Sequence, residues 1–169
     1  MGKKSIKENK NIYFASREDA GLTRAQASER IGYISESRIE KIENEKAAVQ
    51  PEDVVAMAAA YKRPELCNYY CTHECMIGRD LVPEVKISTL SEITLGVLSS
   101  LNALQRQKDR LIDITEDSQV DPAELPDFMQ ILDQLEKISL TADSLKLWLS
   151  SQIAEGRIDQ SVVDRLKKK

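Results

Sequence analysis

Between Gly21 and Tyr61 short helical segments follow one another with small-residue turns between them, and no other stretch restricts the fold of the chain as much. Thr23 predicts an N-cap for a helix running to Arg30, because its hydroxyl accepts from the free amides of the first turn. Gly32 then ends that helix as a left-handed residue beyond its last turn. Ser35 or Ser37 caps a second helix that carries Ile39 and Ile42 on its inner face. Asn44 tolerates the left-handed conformation that stops this helix. Pro51 opens a further helix through the run Val54 to Tyr61.

Two helices joined by a turn of a few residues make a helix-turn-helix candidate. Residues 11 to about 66 resemble the lambda-repressor/Cro-like (XRE) helix-turn-helix family. The likeness runs through Arg17-Glu18, Gly21-Leu22-Thr23, Ala27, Ile31-Gly32, Ile39, Ile42-Glu43-Asn44, Pro51 and Val54 to Tyr61. It covers about a third of the chain and implies double-stranded DNA as a partner.

The resemblance also implies roles for individual residues. Arg24 opens the first motif helix, where family members approach the DNA backbone, and a long cation beside a helix N-terminus suits phosphate. An ordinary solvated arginine is the other reading of that position. Glu36, Ser37, Glu40 and Lys41 correspond to the outer face of the recognition helix, and Arg38 shares that face depending on how the preceding turn is built. Ser37 and Arg38 are suited to base edges or phosphates, whereas Glu36 accepts from a cytosine amino group or else repels phosphate. The family pairs a first-helix arginine with a glutamate ending the recognition helix. Carried onto this chain, that is Arg17 with Glu43, a scaffold ion pair with bidentate geometry available to arginine. Two departures from the pattern stand out. The turn Gly32-Tyr33-Ile34-Ser35 is one residue longer than usual, and Glu45 stands where a glycine commonly follows Asn.

Charge gives such a head little long-range help. The net charge is −4, yet residues 1–66 hold 12 Lys and Arg against 11 Asp and Glu, and the other 103 residues hold 12 against 17. Phosphate binding needs local positive charge, which Lys3, Lys4, Lys7, Lys10, Arg24, Arg38 and Lys41 supply if a dimer gathers them on one face. No apolar run approaches the 18 residues of a membrane span, and the N-terminus lacks a signal-peptide core. With few aromatics and glycines, the expectation is an all-α cytoplasmic protein.

All three cysteines and the only histidine lie within nine residues, at Cys67, Cys71, His73 and Cys75. This density invites zinc or an iron–sulfur cluster, since both favour thiolate and imidazole ligands. On one straight helix, however, Cys67 and Cys75 stand about 12 Å apart along the axis, too far to share a metal, so a site requires the chain to turn near Thr72. Packing of the cysteines as small apolar residues and a redox switch are the competing readings.

Residues 79–87 read as an ordered connector, with Pro83 disfavouring helix at Val82. The preceding residues, 1–78, form the helix-turn-helix domain with its Cys/His segment, and residues 88–169 form a long helical hairpin. Ser88 or Ser91 caps its first helix, in which Leu90, Ile93, Val97, Leu101, Leu104 and Leu111 recur at helical steps to about Ile114. After a turn at 116–122, Phe128, Ile131, Leu135, Ile138, Ala142, Leu145 and Leu149 keep a seven-residue repeat, the mark of a coiled-coil seam. The short turn forces the two helices antiparallel. Leu132, Leu140, Leu147, Trp148 and Ile153 form a further stripe that one hairpin cannot bury on itself. The expectation is therefore a homodimer through residues 88–155, with cover by the N-terminal domain or by the tail Ile158, Val162, Val163 and Leu166 as the alternative.

The conjunction predicts a dimeric, sequence-specific DNA-binding regulator, a repressor that reads the major groove with residues 35–43. A protein-interaction module with a degenerate DNA face and a metal- or redox-sensing regulator using Cys67 to Cys75 are the alternatives. No Gly-rich phosphate loop, Ser-His set or paired acid/base cleft points to an enzyme.

Overall fold

The computed structural model describes residues 11–168; Lys3, Lys4, Lys7 and Lys10 lie outside the described residues. Among those described, the chain is helical throughout, without strands: α1 (Ile12–Asp19), α2 (Arg24–Ile31), α3 (Glu36–Glu43), α4 (Pro51–Tyr61), α5 (Glu65–His73), α6 (Gly78–Leu81), α7 (Leu90–Thr115), α8 (Leu125–Ala154) and α9 (Gln160–Lys167). None of these helices is long and apolar enough to cross a membrane. Two compact units result. Among the described residues, one holds 11–84 together with 149–168, and the other is Val85–Trp148.

In the first unit side-chain caps define where the short helices begin. Asn11 accepts from the Phe14 amide at α1, Thr23 and Gln26 form a reciprocal capping box at α2, and Ser35 accepts from the Arg38 amide at α3. Pro51 opens α4, with the Asp53 carboxylate accepting from the Gln50 amide. Gly32 ends α2 at a φ of 88°. At the end of α3 the structure corrects the sequence reading. Asn44 has φ −99°, and the left-handed residue is Glu45, at φ 57°. The Glu45 amide donates to Ile42 (3.0 Å) and the Lys46 amide to Lys41 (2.8 Å), the pair of bonds that marks a Schellman stop. The stop thus needs its left-handed residue one position after Asn44, where this chain carries a side chain.

These helices enclose a core of Tyr13, Ala27, Ile34, Ile39, Ile42, Val49, Val54, Met57, Ala58, Ala60, Tyr61 and Leu66. Each fully buried aliphatic side chain contributes about 1.5–3 kcal/mol relative to exposure. The long turn before α3 is part of that core: Ile34 is buried, and the Ser28 hydroxyl donates to its carbonyl at 2.8 Å.

The connector is shorter than the sequence suggests. Residues 79–81 belong to α6, which folds back so closely that a Cβ added at Gly78 would lie 2.2 Å from the Cys71 carbonyl oxygen. In the second unit α7 and α8 pack together as a hairpin. Thr89, rather than Ser88 or Ser91, caps α7 through a capping box with Glu92. Gly96 lets the helices approach, since its added Cβ would meet Thr141 Cγ2 at 3.2 Å, and Arg110 pairs with Asp127 at 2.7 Å. Ile93, Ile114 and Ile131 are buried, whereas Leu90, Leu101, Leu135 and Leu145 of the proposed seams remain exposed. The stripe Leu132, Leu140, Leu147, Trp148 and Ile153, expected to lack cover, is instead half-buried. Helix periodicity identifies apolar faces but does not decide which of two adjacent faces turns inward.

Candidate nucleic-acid interface

Helix α3 has two distinct sides. Ile39, Ile42 and Glu43 are buried, whereas Glu36, Ser37, Glu40 and Lys41 are exposed. The division follows from spacing, because residues three and four apart share a helical face.

Glu43 is the electrostatic centre of the unit, with 1% of its surface exposed. Arg17 donates from Nε to one carboxylate oxygen and from Nη2 to the other at 3.0 Å, while its Nη1 donates to the Leu22 carbonyl at 2.6 Å. The Arg17 guanidinium also lies 5.0 Å from the Phe14 ring centroid. Burial by itself would depress the Arg17 pKa, but the hydrogen bond and charge of Glu43 outweigh it and hold the pKa above its ordinary value. A second guanidinium completes the cluster: Arg24 Nε donates to Glu43 Oε2 at 2.8 Å, and its Nη1 stands 4.0 Å from Glu40. A buried carboxylate therefore ties α1, α2 and α3 together. Sequence reasoning weighed Arg24 as a phosphate contact or a solvated arginine and missed this tie, which joins residues 19 positions apart.

Arg38 is also committed. Its Nε donates to Asp53 Oδ2 at 3.1 Å and its Nη2 to the same oxygen at 2.5 Å, with a longer bond to the Ala48 carbonyl at 3.4 Å. The hydrogen bond to Asp53 is the main reason its pKa is raised. Asp53, absent from the sequence reading, thus joins the first turn of α4 to α3. Lys41 is left as the exposed cation of the α3 face, beside the carboxylates Glu36 and Glu40.

The Cys/His segment is arranged differently from a straight stripe. Cys67 and Cys71 lie on α5, the helix ends at His73, and Cys75 follows in the turn, its sulfur accepting from the Gly78 amide at 3.4 Å. His73 stacks on Tyr69, with ring centroids 4.3 Å apart, and its Nδ1 lies 2.8 Å from the Thr72 hydroxyl. All three thiols are free, and burial pushes the Cys67 pKa up. Among the described residues no three His, Cys, Asp or Glu side chains gather closely enough to hold a metal ion. The turn does come close to Thr72, and it carries α6 back over the Cys71 backbone.

Residues 15–70 match a family model described as a helix-turn-helix domain, the stretch that runs from within α1 to within α5. No curated protein and no solved structure matches the chain.

Proposed function

We propose that this helix-turn-helix domain serves a dimeric, sequence-specific DNA-binding regulator, a repressor that inserts α3 into the major groove. The observation that carries the reading is the two-sided character of α3. One side is locked in the core through Ile39, Ile42 and the doubly paired Glu43, and the other offers Ser37, Glu40 and Lys41 to solvent. A rigidly held helix with a short polar face is what direct readout of base edges requires.

Dimerisation rests on α7. Leu90 (43% exposed), Leu98 (52%), Leu101 (47%) and Ile112 (56%) fall within a narrow arc of that helix. Leu90, Leu101 and Ile112 are eleven residues apart, three helical turns each, so they form a ladder about 33 Å long. A second copy of the chain is the natural cover, because pairing doubles the phosphate contacts and sets two heads on half-sites about 34 Å apart. Changing Leu98 and Leu101 together to Glu is expected to convert a dimer to a folded monomer in sedimentation experiments; an unchanged dimer rejects this face.

The ion pairs of Arg24 and Arg38, together with exposed Glu36 and Glu40, favour one competing reading, a protein-interaction module with a silent DNA face. Selection of bound sequences from a random duplex pool separates the two. An inverted repeat, weakened by Lys41→Ala with a salt slope smaller by about one unit per lost phosphate contact, supports the regulator. Failure to enrich any sequence at low salt with a folded dimer rejects it.

A further inference from the structure

Away from the outer face of α3, the same unit contains an open cavity of about 460 Å³, within the range of small-molecule sites. Its chemistry is one-sided. Tyr69 supplies the accessible aromatic surface, with His73 stacked on one of its faces, buried Tyr13, Ile42 and Val49 back the cavity, and Glu45 and Glu74 add two carboxylates, while no Lys, Arg or His is among its described lining residues. The two tyrosine rings meet edge to face, at 86° with centroids 6.3 Å apart, and so form a corner. Tyr13 donates its hydroxyl to Glu74 at 2.8 Å, which pins one carboxylate beside that corner. Burial first, and then the charges of Glu74 and Glu45, raise the Tyr69 pKa, so both carboxylates act on the same ring.

We propose that this cavity is a binding site for a small organic ammonium ion. The Tyr69 ring attracts a cation through its quadrupole, and the two carboxylates, with no Lys, Arg or His among the described lining residues, add Coulomb attraction; an anion meets repulsion and a neutral molecule gains neither. Poorly hydrated quaternary ammonium groups suit this mixed lining, in which Ile12, Ile42, Ala47, Ala48 and Val49 supply the apolar part.

The cavity is also placed to influence α3. Ile42 belongs to the last turn of that helix, Glu45 is its left-handed stop, and Asn11, which lines the cavity, caps α1 while its Nδ2 donates to the Ile42 carbonyl at 2.8 Å. A bound cation therefore touches the elements that set the position of α3. Coupling of the cation to DNA rests on the function proposed above; binding of the cation does not.

The test uses the full chain, isotope-labelled, titrated with choline and, in parallel, with its neutral isostere 3,3-dimethylbutan-1-ol at matched ionic strength. The expected result is saturable shifts at Tyr13, Ile42 and Tyr69 with choline, and affinity for the isostere weaker by on the order of tenfold. Glu45→Gln and Glu74→Gln, whose spectra report folding directly, should each weaken choline severalfold. Equal binding of the two probes, absence of saturable shifts at these residues, or indifference to both substitutions overturns the site. Repeating the titration with a selected duplex present tests the coupling, because linkage requires DNA to change choline affinity as much as choline changes DNA affinity. An unchanged affinity overturns the coupling alone. Failure to select any duplex leaves the choline titration of the free chain to decide the site.

Discussion

Replacing Glu45 by glycine should stabilise the helix-turn-helix unit. Glu45 occupies the left-handed position of the Schellman stop after α3, at φ 57°. An L-residue with a Cβ costs about 1–2 kcal/mol in that conformation, and glycine avoids the cost. Glycine also has more freedom to lose on folding, which takes back about 0.5–1 kcal/mol. The net gain is therefore ~0.5–1 kcal/mol, and in a domain of this size it corresponds to a rise in Tm of roughly 2–8 °C. Urea unfolding followed by circular dichroism measures it. Glu45→Gln separates the sources, because it removes the charge and keeps the strained backbone, so it should recover little of the gain. If Gln stabilises as much as Gly, charge at the helix end is responsible and the backbone reasoning is refuted. If Gly is no more stable than Glu, the left-handed conformation carries no cost here. Lys62 supplies an independent repeat, since it ends α4 at φ 59° with the Arg63 amide donating to Ala58 at 2.9 Å. Lys62→Gly should gain a similar amount.

Three further outcomes are expected. Glu43→Gln leaves Arg17 buried without its charge partner and should cost about 3–5 kcal/mol in denaturant unfolding; a loss below about 1 kcal/mol would mean that Arg17 re-solvates at little cost. Arg38→Ala breaks a partly exposed pair with Asp53 and should cost no more than about 1 kcal/mol, so a much larger fall in DNA affinity would show that Arg38 leaves Asp53 to reach the duplex. Gly78→Ala drives a methyl into the Cys71 backbone and should destabilise by about 1–3 kcal/mol, read as a lower thermal midpoint.

Much of the first unit was legible in the chain. Thr23, Ser35, Gly32 and Pro51 act within a few residues of themselves, through capping bonds and restricted backbone angles, so local sequence was sufficient to mark α2, α3 and the start of α4. The same holds for the inner face of α3, because three- and four-residue spacing sets which side chains point together. The long helices announced themselves by periodicity, and their short connection by the turn residues between them. The all-helical class, the helix-turn-helix domain and the hairpin were therefore determined by sequence.

Tertiary structure decided what each exposed-looking charge does. Arg24 and Glu43 lie 19 residues apart, and Arg38 and Asp53 lie 15 apart, so only the packing of α2 and α4 against α3 reveals that these cations already have carboxylate partners. The Schellman bonds moved the left-handed residue from Asn44 to Glu45, a difference of one residue that propensity cannot resolve. The fold-back of α6 over Cys71 decided how the cysteines lie, and the rotation of α7 against α8 decided which leucines stay exposed. The cavity between Tyr13, Tyr69 and Glu45 draws on α1, α5 and the turn after α3. Long-range placement creates such a site, and no local pattern of residues encodes it.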